Sequence, residues 1–317
     1  LVPILEKRKV QALLVMVTEG YNWESAYYMS GFRGTSCSLL ISGKRNILIT
    51  DGRYLTQAAD QTPFTVVDQA GESMAGAVIR EIRRLELTDI GFEADKMTVA
   101  QYGLLNNSET EWVDLNGAVQ SLRRTKDEEE LSLIGKAAKI AMEAYEETLA
   151  QTHIGMTERD FANRLEYSMK NLGAEGGWPG HEFIVASGVR SAMPHGVPTD
   201  KCFAAGDWVT VDFGATYEGY VSDITRNFVV GIPSSEAIKI HKILYEAHTK
   251  SADALCSGVV GRKVDAIARN IIEAGGYGKC FNHGLGHSIG LEIHEEPRLS
   301  LSSIDILKPG DVITIEP

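Results

Sequence analysis

One arrangement occurs twice between residues 123 and 278, and this repeat constrains the fold more than any other feature of the chain. A long amphipathic segment, a glycine, a shorter helical segment and a glycine-rich exit span about 123–177 and again about 234–278. In the first copy Leu131, Ile134, Ala138, Ala141, Tyr145 and Thr148 recur at three- and four-residue steps, which predicts a long helix with one apolar stripe. The charge run Lys126–Glu130 reads as its solvated first turn, since acids are favoured at the positive end of the helix dipole. Thr157 follows as an N-cap with Asp160 three residues on, and Gly173 stops the second helix. In the second copy Ile238, His241, Leu244 and Ala247 form the stripe, and "KVDAIARNIIEAGG" follows Gly261. Two such helix pairs imply half-domains related by a pseudo-two-fold axis, with a cleft between them.

Residues 1–122 read differently. "VQALLVMV" is a buried strand, "CSLLIS" and "NILIT" form a hairpin across Gly43–Arg45, and "ESMAGAVIREIRRLE" is helical through Met74, Val78, Ile82 and Leu85. "DIGFEA" and "EWVDLN" supply further strands, so this part is an α/β domain of its own. A chain of 317 residues with 44% hydrophobic content is long enough for both domains. The net charge of −12 excludes a nucleic-acid polyanion as the main partner. Cys37, Cys202, Cys256 and Cys280 form no CxxC pair, so a reducing, cytoplasmic compartment is expected. No apolar run reaches the length of a membrane span, and no signal peptide is visible.

The chemistry concentrates in "NHGLGHSIGLEIHEEP", where His283, His287 and His294 lie among three glycines. The four-residue step from His283 to His287 matches that of helical HExxH zinc sites. Two interior glycines, each costing about 1 kcal/mol in a helix, and the missing glutamate exclude that reading. The imidazoles must project from a turn or strand, and a metal would need further ligands from elsewhere.

"DWVTVDFGATYEGYVSDITRNFVVG" offers them. Val209, Val211 and Phe213 alternate with Thr210 and Asp212, and a second alternating run carries Asp223 and Thr225. A reversal within Thr216–Gly219 would set residues summing to 435 opposite each other, placing Asp212 against Asp223. Two such carboxylates repel unless a cation sits between them, and an unpaired charge beside Val211 and Phe213 is costly. "GDVITIEP" repeats the strand pattern and ends on Glu316. Asp212, Asp223, His287 and Glu316 together form an oxygen and nitrogen ligand set for divalent first-row metals.

"DFGATYEGYVSDITR", "HGLGHSIGLEIHEEP" and "ITIEP" resemble, in order and spacing, the pita-bread metallopeptidases: aminopeptidase P, prolidase and methionine aminopeptidase. The resemblance implies an α+β pita-bread catalytic domain over 123–317, with a pseudo-two-fold internal repeat. It implies a creatinase-like N-terminal α/β domain over 1–122, which makes methionine aminopeptidase the less fitting branch. It assigns Asp212, Asp223, His287 and Glu316 to two divalent ions, manganese before cobalt or zinc, with Asp223 bridging. His294, His195 (in "SAMPHGVP"), His283 and Glu316 become the catalytic and substrate-facing groups. The family's fifth ligand, a second glutamate, lies on a later strand, so the protein is expected to continue past Pro317.

The activity so implied is hydrolysis of N-terminal peptide bonds, Xaa-Pro in particular, by a metal-bridging water. A homodimer acting on proline-containing peptides is expected, with no membrane or nucleic acid as partner. Two rivals share the fold: a metal-free creatinase-like amidinohydrolase and a non-catalytic protein-binding module. Each would be expected to lose the ligands that this chain keeps.

Overall fold

The apolar run after Val10 becomes strand β1 (Ala12–Thr18), and both of its faces are buried. Leu13, Val15 and Val17 point to one face, where Ala26, Ala58 and Val119 complete a core. Leu14 and Met16 point to the other, against Ala77, Val78 and Ile82. A strand covered on both sides has no polar alternation, which is why this one reads as a continuous apolar run.

A computed structural model of the protein describes residues 1–106 and 109–317, which divide into Leu1–Arg123 and Arg124–Pro317. In the first unit, β1 pairs antiparallel with β2 (Ser36–Ile41), and β2 with β3 (Asn46–Thr50), the hairpin read from the sequence. Parallel pairing adds β4 (Thr65–Asp68) beside β3, β5 (Asp89–Phe92) beside β1, and β6 (Glu111–Asp114) beside β5. The six strands run in the order β4-β3-β2-β1-β5-β6. Helices α1 (Val2–Arg8), α2 (Trp23–Ser30), α3 (Leu55–Gln61), α4 (Met74–Arg84), α5 (Val99–Leu105) and α6 (Ala118–Arg123) complete this α/β unit.

The second unit carries the repeat. Helix α7 (Glu128–Ala150) packs on α8 (Glu158–Asn171), and α9 (Ser235–Asp253) on α10 (Gly261–Ala274). Thr157 caps α8 by accepting from the Asp160 amide, as the sequence indicates. Asp127 caps α7 in a reciprocal capping box with Glu130. The charge run departs from expectation: Asp127, Glu128 and Glu129 are exposed, but Lys126 and Glu130 are buried. Lys126 pairs with Glu295, and Glu130 accepts from Tyr220, so two of the five residues of this run face inward.

Both predicted stripes are only partly right. On α7, Ile134, Ala141, Tyr145 and Thr148 are buried, but Leu131 is exposed and Ala137, Ile140 and Ala144 complete the face. On α9, Ala247 shares a core with Val264, Ala268 and Ile272 of α10 and Leu244 packs against it, whereas Ile238 and His241 line an open groove with Trp208 and Phe228.

Strand β7 (Ile184–Ser187) pairs antiparallel with β8 (Trp208–Phe213), and β8 with β11 (Ile224–Val229). Between β8 and β11 lies a tight hairpin of β9 (Thr216–Tyr217) and β10 (Tyr220–Val221). Strand β12 (Gly286–Ser288) pairs with β13 (Glu295–Leu299). Among the described residues no helix is long and apolar enough to cross a membrane.

Candidate active site

Strand β8 alternates as its sequence requires: Val209, Val211 and Phe213 are fully buried, while Thr210 and Asp212 face the other side. The register differs from the one expected. Asp212 pairs with Thr225 rather than with Asp223, because the reversal is a two-residue turn at Glu218–Gly219. Both turn residues have positive φ, 46° and 81°, the geometry that matches hairpin twist. Paired residues therefore sum to 437. A shift by two keeps the same face, so Asp223 lies diagonally across from Asp212 instead of directly opposite. The Thr225 hydroxyl donates to Asp212 Oδ1 at 2.9 Å and fixes that carboxylate.

His287 sits on β12, not on a helix, and its Nδ1 lies 3.1 Å from the Ser288 carbonyl oxygen. A carbonyl can only accept, so Nδ1 carries the proton and Nε2 is directed at the carboxylates. Nε2 is 3.1 Å from Glu316 Oε1 and 3.5 Å from Asp223 Oδ2. One ligand atom from each of Asp223, His287 and Glu316 falls within 4.8 Å of the others. Asp212 adjoins this trio through a side-chain hydrogen bond with Asp223. Glu316 lies on an extended segment, not a regular strand. Thr314 N donates to His287 O at 2.8 Å and Glu316 N to Leu285 O at 2.9 Å, which seats the segment beside β12.

The electrostatics show what the cluster lacks. Burial, aided by the charge of Glu316, pushes the Asp212 carboxyl up to about 6. Burial and the charges of Asp212 and Glu316 push Asp223 up to about 8. His287 is raised: burial opposes its charge, but the bond and charge of Glu316 outweigh that. Glu316 is lowered, because the His287 interaction exceeds the cost of burial. Three carboxylates thus compete for one imidazolium, and protons stand in for missing positive charge. A divalent cation answers that deficit, and an oxygen-rich set with one imidazole suits a first-row ion.

Two further histidines, His294 and His283, lie beside this cluster. The His294 ring is 4.4 Å from that of His287, and burial together with the His287 charge lowers its pKa. His283 packs edge-on to Phe281 and is near enough for its charge to act on Glu316. His195 is exposed on the loop between Ser187 and Thr199, and the ligand cluster closes without it.

Several supporting residues are not apparent from sequence spacing. Glu158, fully buried at the first position of α8, accepts from Ser187 N and Oγ at 2.8 Å each. It also accepts from Thr199 N at 3.1 Å, Thr199 Oγ1 at 2.6 Å and Arg190 Nε at 3.2 Å. One carboxylate therefore holds both ends of the loop that carries His195. Asp265 and Arg269 do the same for the segment before His287. Arg269 bonds Asp265 and the carbonyls of Phe281 and His283, and Leu285 N donates to Asp265. The only sequence signal for Glu158 is its place beside the Thr157 cap, which reads equally well as a helix-dipole acid.

Residues 132–317 match metallopeptidase family M24, and residues 1–125 match the Creatinase/Prolidase N-terminal domain. The chain belongs to metallopeptidase family M24. As an M24 peptidase it is 34% identical to the Xaa-Pro dipeptidase of Pyrococcus horikoshii, over 100% of this chain and 88% of that protein. Among solved structures it resembles the Xaa-Pro dipeptidase from Bacillus anthracis, with a TM-score of 0.93 and 38% identity, covering 99% of this chain and 86% of that one. The X-Pro aminopeptidase from Thermotoga maritima gives a TM-score of 0.92 at 36% identity, covering 99% and 87%. The M24 architecture is thus a creatinase-like domain followed by a pita-bread catalytic domain.

Proposed function

We propose that the protein hydrolyses N-terminal Xaa-Pro peptide bonds with two divalent ions held by Asp212, Asp223, His287 and Glu316. The observation that carries this reading is the convergence of the Asp223 and Glu316 carboxylates, with Asp212 beside them, on one oriented imidazole. It occurs in an M24 chain whose relatives are named Xaa-Pro dipeptidase and X-Pro aminopeptidase. Manganese is the ion we assign, with cobalt or zinc compatible with the same ligands.

When bound, the ions supply positive charge that polarises the scissile carbonyl and lowers the pKa of water. The protein's own groups do the rest. Thr225 holds Asp212, and the Ser288 carbonyl holds the ring of His287, so both are oriented before any ligand arrives. Glu316, steadied by Thr314 Oγ1 at 2.8 Å, takes a proton from the attacking water and returns it to the leaving nitrogen. His294, kept neutral by its lowered pKa, donates an N–H to the developing oxyanion. His195 and His283 bind the peptide at the edge of the site. The same cluster speaks against a metal-free amidinohydrolase or a binding module, neither of which needs these carboxylates together.

The four cysteines are free among the described residues, which fits the cytoplasmic assignment; a homodimer is assigned with it, to be checked by light scattering. The function is tested by assaying the full-length protein with manganese on Xaa-Pro dipeptides and on longer Xaa-Pro peptides. Turnover of dipeptides alone identifies a prolidase, turnover of longer peptides an aminopeptidase P. Turnover of neither overturns the proposal.

A further inference from the structure

Lys126 and Glu295 form an ion pair with side chains only 1% and 2% exposed, well removed from bulk solvent. The ammonium group uses all three protons: to Glu295 Oε2 at 2.9 Å, Ser288 Oγ at 3.1 Å and Arg124 O at 3.2 Å. The second carboxylate oxygen of Glu295 accepts from Leu291 N at 3.0 Å and Glu292 N at 3.1 Å. A buried pair of this kind repays little in stability, because desolvating two charges offsets their attraction. What it supplies is a fixed geometry.

Its position gives that geometry a use. Ser288 directly follows His287, Glu295 directly follows His294, and the two are cross-strand partners of β12 and β13. Lys126 therefore ties together both ends of the excursion that separates the two histidines, and anchors them to the residues preceding α7. The excursion wraps around the Glu295 carboxylate so closely that a Cβ on Gly290 would stand 2.7 Å from Oε1 and 2.8 Å from Oε2. Gly290 O also accepts from Val221 N at 2.8 Å, which joins the assembly to the hairpin that leads to Asp223.

We propose that Lys126 is a positioning residue for the peptidase reaction: paired with Glu295, it sets the spacing between the metal-side His287 and the substrate-side His294. This rests on the roles proposed above for those two histidines. The test compares wild type, Lys126→Met, Lys126→Met/Glu295→Gln, His294→Ala and Lys126→Met/His294→Ala in the full-length protein. Folding is checked by circular dichroism, and the readouts are kcat and KM on an Xaa-Pro dipeptide and the visible spectrum and affinity of bound Co²⁺. Displacement of a catalytic group by 1 Å costs about 100-fold, so Lys126→Met should lower kcat by about that factor with KM changed less than about threefold. With the metal saturating, the same substitution in the His294→Ala background should cost less than about threefold in kcat, because its effect on turnover runs through His294. Co²⁺ affinity should fall about tenfold with an altered visible spectrum, the size of effect known for groups that orient a ligand. The Lys126→Met/Glu295→Gln variant contains no unpaired buried charge, so it keeps the test open if the single variant fails to fold. Its kcat should stay low. Recovery to wild-type kcat there, or a full additional loss on top of His294→Ala, overturns the proposal. A His294→Ala protein with wild-type kcat overturns the reading of His294 instead, and the proposal falls with it.

Discussion

Replacing Glu158 with glutamine should release the His195 loop without touching the proposed metal ligands. The carboxylate accepts from five donor groups, two on Ser187, two on Thr199 and Nε of Arg190. A glutamine keeps one acceptor oxygen, which can retain the Ser187 side. Its amide then points N–H groups at the N–H of Thr199 and at Nε of Arg190. Hydrogen bonds to a charged group are worth about 1.5–3 kcal/mol each, and a buried donor left unsatisfied costs about 1–3 kcal/mol. The Thr199 hydroxyl can rotate to compensate, so the net loss is about 3 kcal/mol. For a folding unit of this size that is a fall in Tm of about 6–12 °C. Burial alone would raise the pKa of Glu158, but the bonds from Thr199 and Ser187 outweigh it and hold the group below its usual 4.5. Stability from a depressed carboxylate is present above the unfolded pKa and lost as pH falls through the folded one. The Tm gap between wild type and Glu158→Gln should therefore be full at pH 7 and shrink below about pH 4.5. Thermal melts across pH supply the first assay, and tryptic cleavage after Arg190, faster in the variant, supplies the second. Equal melting temperatures at pH 7 with equal cleavage rates would refute the reasoning.

Other outcomes follow from the same contacts. Thr225→Val removes a hydroxyl donor from Asp212 and should weaken Mn²⁺ affinity about tenfold in calorimetry, with Tm little changed. Asp265→Asn strips a buried partner from Arg269 and should cost about 3 kcal/mol in denaturant unfolding, since breaking a buried pair leaves a charge uncompensated.

The elements of this fold were largely legible because each obeys a local rule. The run after Val10, the Ser36–Thr50 hairpin and the Thr157 cap need no distant partner to be recognised. Of the four candidate ligands named from the sequence, Asp223, His287 and Glu316 lie within 4.8 Å of one another. Long-range choices were not legible. The hairpin register depended on Glu218 entering the left-handed region, which its side chain gives little reason to expect. Lys126 looked solvated because its partner Glu295 lies 169 residues away. Glu158 was invisible for the same reason: a single acid at a helix start has a sufficient local explanation, and its five donors come from a loop that sequence alone does not fold back. The exposure of Ile238 and His241 shows the limit of periodicity, which finds a stripe but not what covers it.

The most direct test of the account is manganese-dependent hydrolysis of an Xaa-Pro dipeptide by wild type and Asp223→Asn in one assay, on the full-length protein. Asp223 faces both His287 and the other carboxylates. Turnover by the wild type that stops with a chelator, returns with manganese, and is lost in Asp223→Asn is the predicted result. Chelator-resistant turnover, or an Asp223→Asn variant as active as wild type, would contradict it.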